Sequence, residues 1–259
     1  MSNDHLLVQI EGPVMNLVMN RPESLNAFSP EMIMGLTNAV KEAGENPEIR
    51  IVVLSGSGRS FSAGGDVKTM GEASPSQVYD HIGKLNECIL AMRSLEKPII
   101  AAVHGFAAGA GFNLALACDL IVAAEDSKFV LSFSQVGLIS DGGGLYFLPR
   151  LIGPYRAKQL LFSGEPLLVK TAKEYGIVND TFPLDSFKEE VGKLAFKLSK
   201  GPGKAYGMIK KIADQAAVSS LSEILEQERI TQTLMVTTDD HIEGVSAFKE
   251  KRKPQFKGK

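Results

Sequence analysis

Ile99-Ile100-Ala101-Ala102-Val103-His104-Gly105-Phe106-Ala107-Ala108-Gly109-Ala110-Gly111-Phe112-Asn113-Leu114-Ala115-Leu116-Ala117 decides the fold class. Its first five residues form an unbroken apolar run, as in a strand buried on both faces. After His104, the seven residues from Gly105 to Gly111 are a glycine-rich loop, and the apolar text from Phe112 to Ala117 reads as a helix. A strand that empties through glycines into a helix is an α/β signature. The same sentence occurs earlier: residues 51–54 are a compact β-branched run, followed by Ser62-Ala63-Gly64-Gly65-Asp66 and a possible helix start at Val67-Lys68-Thr69-Met70.

Working outward, residues 6–10 and 14–19 read as two strands joined by Gly12-Pro13. Ser29-Pro30-Glu31 combines an N-cap, a proline at N1 and an early acid, with Met32, Ile33, Leu36 and Val40 on one helical face and Gly44 closing it. A second helix opens at Ser74-Pro75, carries Val78, Ile82, Leu85 and Ile89, and stops at Lys97-Pro98. Strands follow at 120–124 and 129–131. Strand, strand, helix is thus repeated with variation, and helices cover sheets. From about residue 186 the pattern is wholly helical, with faces at Phe187, Val191, Leu194 and Leu198, then at Met208, Ile209 and Ile212. We divide the chain into a core, 1–198, and a helical region, 199–259, whose apolar faces serve either subunit contacts or its own core.

Composition narrows the class. An apolar fraction of 44% and a mean hydropathy of +0.02 fit a water-soluble domain with a substantial core. A net charge of −2 offers no basic field, which argues against nucleic acid. No apolar run is long enough for a bilayer, since Asp119 interrupts the richest stretch. Met1 to His5 carry no signal-like apolar core, and Cys88 and Cys118 sit in apolar helical text, so a reduced, cytoplasmic protein is expected. His5, His81, His104 and His241 are too scattered to hold a metal. The basic cluster Lys249-Glu250-Lys251-Arg252-Lys253 is either a solvated end or a contact for an anionic ligand.

Both glycine loops allow close approach of backbone to a ligand. The second ends at a helix N-terminus, where unpaired N–H groups favour negative charge. Two N–H groups converging on one oxygen would stabilise an enolate; a tight turn with close helix packing is the plainer alternative for either loop alone. Neither loop has the glycine spacing or lysine of a phosphate-binding fingerprint.

Here the chain resembles the enoyl-CoA hydratase/isomerase, or crotonase, superfamily. The resemblance rests on Phe61-Ser62-Ala63-Gly64-Gly65-Asp66-Val67-Lys68, on Lys97-Pro98 through Gly111, and on Ala117-Cys118-Asp119-Leu120. Asn20-Arg21-Pro22 with Leu25-Asn26-Ala27, and Ala247-Phe248-Lys249-Glu250-Lys251-Arg252, extend it to nearly the whole chain. It implies a ClpP-like spiral of ββα units with a C-terminal helical trimerisation region, giving homotrimers or hexamers. It also implies an acyl-CoA thioester substrate, with coenzyme A as part of that substrate and no separate cofactor. The oxyanion N–H groups would be those of Gly65 and Ala110. Substrate-binding positions carried over are Ser24, Leu25, Ala27, Ala63, Asp66, Val67 and Lys68, with Phe248 and Lys251 reaching coenzyme A on a neighbouring subunit.

The family's hydratases use two glutamates, and the matching positions here are Asn113 and Phe133. Neither can exchange a proton; Asn113 is expected to make a polar contact in the substrate pocket or merely to pack, and Phe133 to line that pocket. One carboxylate remains in the neighbourhood, Asp141, within Val136-Gly137-Leu138-Ile139-Ser140-Asp141-Gly142-Gly143-Gly144. This stretch, through Leu148-Pro149-Arg150, looks especially like bacterial isomerases acting on ring-epoxide phenylacetyl-CoA and related unsaturated acyl-CoAs. A double-bond shift needs one group to take a proton and return it. Burial among Ile139, Leu145 and Phe147 would make Asp141 a stronger base; an Asp-Gly turn or an N-cap is the structural alternative. The expectation is therefore an enoyl-CoA double-bond or epoxide-ring isomerase. A hydratase working without the two glutamates, a nucleophilic Asp141, and a non-catalytic CoA-binding scaffold compete with it. Asp66 is expected to cap the turn at Val67, and Asp119 to end a helix in a structural role.

Overall fold

The computed structural model describes residues 4–66 and 73–259. Its main sheet has six strands. β1 (Leu6–Glu11) and β2 (Val14–Met19) form an antiparallel hairpin in register from Leu6 opposite Met19 to Glu11 opposite Val14. β3 (Ile51–Gly56) and β4 (Ile99–Val103) then add in parallel. The glycine stretch after β4 contains β5 (Phe106–Ala108) and leads into α3 (Ala110–Leu116). β6 (Leu120–Ala124) and β9 (Asp180–Phe182) complete the main sheet in parallel. A second sheet pairs β5 with β7 (Lys128–Val130) in parallel and β7 with β8 (Leu167–Leu168) antiparallel.

The helices fill the intervals. α1 (Pro30–Glu45) follows the hairpin and α2 (Pro75–Ser94) follows β3. α4 (Gly144–Ile152), α5 (Pro154–Ser163) and α6 (Val169–Glu174) lie between β7 and β9. α7 (Phe187–Ser199), α8 (Gly203–Ala216), α9 (Leu221–Met235) and α10 (Asp239–Lys249) make up the helical end. The ββα repeat is visible in β1-β2-α1 and β4-β5-α3; the unit starting at β3 has only the isolated bridge Ser62–Ala107 in place of its second strand.

Alternation along the parallel strands divides the core in two. Val52, Leu54, Ile99 and Ala101 pack toward α1 and α2 residues such as Leu36, Val40, Leu85 and Ile89. Ile51, Val53, Ile100 and Ala102 pack on Phe187, Val191 and Ala195 of α7. Both faces are covered, which is why these strands lack polar positions.

Several boundaries differ from the sequence reading. Gly44 keeps a helical backbone, and α1 runs on to Glu45, where Asn46 N–H closes onto Glu42 O. The buried face of α2 is Leu85, Cys88, Ile89 and Met92, while Val78 is exposed. β5 interrupts the supposed loop because Ser62 and β7 supply its ladder partners, overriding the poor strand propensity of alanine. The strand at 129–131 lies one residue earlier.

Asp119 has a structural role, though not the expected one of ending a helix, since α3 stops at Leu116 with Ala117 as its cap. Its Oδ2 accepts from Ile99 N (2.7 Å) and from Lys210 Nζ of α8 (2.9 Å), and its Oδ1 faces Arg93 at 3.6 Å. Lys210 also donates to Met92 O and is buried, while Arg93 pairs with Asp214. Removing one member of a buried pair leaves the other charge uncompensated. Lys210→Met is therefore expected to cost about 3 kcal/mol, read as a lower urea midpoint with an unchanged slope.

Candidate active site

Backbone hydrogen bonds bring the two glycine stretches together. Ser62 N donates to Phe106 O (3.1 Å), and Ala108 N donates to Ser62 O (2.8 Å). Gly109 N donates to Val130 O (2.8 Å), which fixes the point where α3 begins. Ala110 is the first residue of α3, so its N–H belongs to the group with no partner inside the helix. Gly64, at φ +80°, sits directly against this start. A Cβ there would stand 2.5 Å from Ala108 O and 2.7 Å from Ala110 N. Only glycine permits both the left-handed backbone and the approach.

A third segment is stapled to them. Ala63 N donates to Leu25 O (2.8 Å), Phe28 N to Gly64 O (2.7 Å), and Ser62 Oγ to Asn26 O (2.7 Å). Leu25 and Asn26 are consecutive non-glycine residues at φ +52° and +55°, each a strained conformation costing about 1–3 kcal/mol. The buried Asn26 amide holds this turn. Its Nδ2 donates to Ser57 O and Ser60 O at 2.8 Å and lies 3.2 Å from Phe61 O, and its Oδ1 accepts from Arg21 N at 2.9 Å. Arg21 Nη1 donates to Ala27 O, and its Nη2 pairs with Asp66 at 3.5 Å. Ser24, Leu25, Ala27, Ala63, Gly65 and Asp66 thus share one neighbourhood. Val67 and Lys68, and with them the turn that Asp66 was to cap, lie outside the described residues. Asn26 and Arg21 were quoted in the motif but assigned no role; an asparagine beside a turn signal, with its tolerance of the left-handed region, was the available clue.

Asp141 joins through Asn113. Asn113 is fully buried, and its Nδ2 donates to Ser140 Oγ (2.9 Å) and to the main-chain oxygen of Asp141 (2.8 Å). Asn113, expected to contact substrate or merely to pack, has both amide hydrogens engaged inside the protein. Asp141 is no helix cap either, since Gly143 occupies that position without a side-chain bond. It opens a turn closed by Gly144 N to Asp141 O (3.0 Å). The surroundings also differ from expectation, because Ile139 (79%) and Leu145 (50%) are exposed. The turn rests instead on Leu85 and Asn113, the closest neighbours of Gly142. Burial pushes the Asp141 carboxyl up to about 6, against opposing pulls from its own backbone and the Asn113 amide. Its Oδ1 is buried without a partner among the described residues. Phe133 opens a 3-10 turn (Phe133–Val136), its ring edge 3.6 Å from where a Cβ on Gly109 would lie, so it walls the start of α3.

Phe248 and Lys251 stand apart at the end of α10. Phe248 is 87% exposed and lines a cavity of about 1190 Å³ between α8, α9 and α10. Lys251 has φ +56° and closes the helix through its N–H to Phe248 O. A second cavity of about 840 Å³ lies between α2, α4 and α8, over the Arg93–Asp119 pair. Among the described residues no cluster of His, Cys, Asp or Glu is placed to hold a metal, and no helix is long and apolar enough to cross a membrane.

Residues 9–259 match the model of the enoyl-CoA hydratase/isomerase family. The chain belongs to that family. It is 38% identical to 1,2-epoxyphenylacetyl-CoA isomerase of Escherichia coli (strain K12), over 99% of both chains. It is 35% identical to 2,3-dehydroadipyl-CoA hydratase of the same organism, over 98% of this chain and 99% of that one. The crystal structure of an enoyl-CoA hydratase from Bacillus anthracis superposes with a TM-score of 0.94 at 32% identity, covering 98% of this chain and all of the other. The fold is the crotonase fold, mixed α/β with a helical C-terminal region. Enoyl-CoA hydratase/isomerase chemistry on an acyl-CoA thioester follows from membership; the direction of that chemistry does not, since both kinds of enzyme stand among the relatives.

Two outcomes test the site's physics. The Asp141 carboxyl is raised from 3.8 to about 6, so its ionised form costs the fold stability above pH 6 and the cost vanishes below the ordinary carboxylate value. Asp141→Asn should raise unfolding free energy by up to about 3 kcal/mol at pH 8, the gain fading between about pH 6 and pH 4; chemical denaturation across that range measures it. A Cβ on Gly144 would lie 2.3 Å from Asn113 Oδ1. Gly144→Ala is therefore expected to displace the turn and lower Tm by several degrees, about 1–3 kcal/mol of overpacking.

Proposed function

We propose that the protein is an acyl-CoA isomerase in which Asp141 carries a proton between two carbons of an unsaturated acyl group. The observation that carries this reading is a half-buried carboxylate, Asp141, whose turn is bound through Asn113 to the helix that begins at Ala110, with no carboxylate at 113 or 133. Hydration across a double bond requires a group that deprotonates water; an amide and a phenyl ring cannot.

In this reading the thioester oxygen lies between the N–H groups of Gly65 and Ala110. The Asp141 carboxylate removes a proton from the carbon next to the thioester carbonyl of a 3-enoyl-CoA. The electron pair moves into the carbonyl, and the enolate oxygen accepts hydrogen bonds from both N–H groups, each worth about 3–4 kcal/mol of barrier. The protonated Asp141 then returns its proton to the fourth carbon, leaving the double bond between the second and third. Nothing is added and no separate cofactor is needed, because coenzyme A arrives as part of the substrate. Opening or rearranging a ring epoxide on an aromatic acyl-CoA uses the same enolate.

Ser24, Leu25, Ala27, Ala63, Asp66, Val67 and Lys68 would bind coenzyme A, with Phe133 walling the acyl group. The exposed apolar side chains of α9, among them Leu221, Leu225, Ile230 and Leu234, favour assembly into a homotrimer or a hexamer. Phe248 and Lys251 would then meet coenzyme A on a neighbouring copy. Sedimentation equilibrium tests the assembly.

Incubation with a 3-enoyl-CoA should give a 2-enoyl product of unchanged mass, and kcat/KM should fall as pH drops through about 6, where the base becomes protonated. Asp141→Asn should lower kcat on the order of 10²–10⁴-fold. Full activity in that variant, or conversion of crotonyl-CoA to a product heavier by one water at a comparable rate, would overturn the proposal.

A further inference from the structure

Asn113 occupies its site under unusual constraints. Its amide has two hydrogens, and both are committed to one short segment, to Ser140 Oγ and Asp141 O. Its Oδ1 is buried with no partner among the described residues. A carboxylate of the same size would set an acceptor against the Asp141 carbonyl, so the position demands a donor. The facing residue is Gly144, whose missing side chain leaves room: a Cβ would stand 2.3 Å from Asn113 Oδ1 and 2.4 Å from Ser140 Oγ. Asn113 also lies on α3, one helical turn beyond Ala110.

We infer that Asn113 is a positioning residue for the reaction, its amide fixing the backbone from which the Asp141 carboxylate meets substrate. The inference rests on the reading of Asp141 as the proton carrier. One rigid helical turn then sets the spacing between the Ala110 N–H and that carboxylate. With its N–H end turned to the Asp141 main chain, the same amide also opposes the effect of burial on the carboxyl through its dipole, and no neighbouring charge contributes to the Asp141 shift among the described residues.

The test combines aspartate 13Cγ NMR titration of the full chain, with Asp141→Asn to assign the signal, and kinetics on a 3-enoyl-CoA. In Asn113→Leu the Asp141 carboxyl should titrate higher than in the parent, because the N–H end of an amide dipole held against the Asp141 turn is gone. The acid limb of kcat/KM should rise with it, and kcat should fall on the order of 10²-fold with KM changed less than about twofold, as expected for a misdirected base. Asn113→Ala, which introduces no clash, should behave alike if the leucine variant does not fold. Ser140→Ala leaves the bond to Asp141 and should lose less activity with an unmoved titration. An unmoved Asp141 titration in the Asn113 variants, or losses confined to KM or Tm, would overturn the positioning role. Full activity in Asp141→Asn would instead sink the proton-carrier reading, and the NMR titration would still report whether Asn113 governs the carboxyl.

Discussion

Gly64 and the first residue of α3 meet as bare backbone, and the rest of the site is arranged around that contact. No side chain fits between the Gly64 α-carbon and the Ala110 nitrogen. Because β4 leads through β5 to α3, the sheet fixes one side of the contact; because Ser62 bridges Ala107, the same sheet fixes the other. The substrate-facing backbone is therefore defined by strand registers rather than by loop preference. That suits a site whose chemistry depends on N–H groups held in place before charge develops.

Three side chains do the remaining fastening, and each makes at least one hydrogen bond to main chain. Asn26 spans Ser57, Ser60 and Phe61 and so holds two strained residues in place. Asn113 ties the Asp141 turn to α3. Asp119 gathers the start of β4 and the middle of α8 at one carboxylate. Each links segments distant in sequence, which gives local conformations a tertiary cause.

Much of the fold was legible because its strands and caps carry strong local signals. The apolar runs at 51–54, 99–103 and 120–124 are strands, and Ser29 and Ser74 cap α1 and α2 through their hydroxyls. What local text could not reveal was pairing. β5 is written in alanine, and β8 has two residues; both exist only because a partner strand is there. The site divides in the same way. The glycine stretches and Asp141 stand out as residue types, whereas the roles of Asn26 and Asn113 depend on acceptors 28 or more residues away. Exposure misled at Val78, read as part of an apolar helix face, and at Ile139 and Leu145, read as burying Asp141; all three face outward in the chain.

The Lys210–Asp119 bond also has a consequence in time. Its partners are separated by 91 residues, so at roughly 5–20 residues per second of synthesis the carboxylate is made several seconds before its ammonium. During that interval the turn after α3 holds an acid bound for burial but lacking its main counter-charge. A nascent chain in that state cannot close the region over Asp119 at low cost. The surroundings of Asp119 are completed only once Lys210 of α8 has been made.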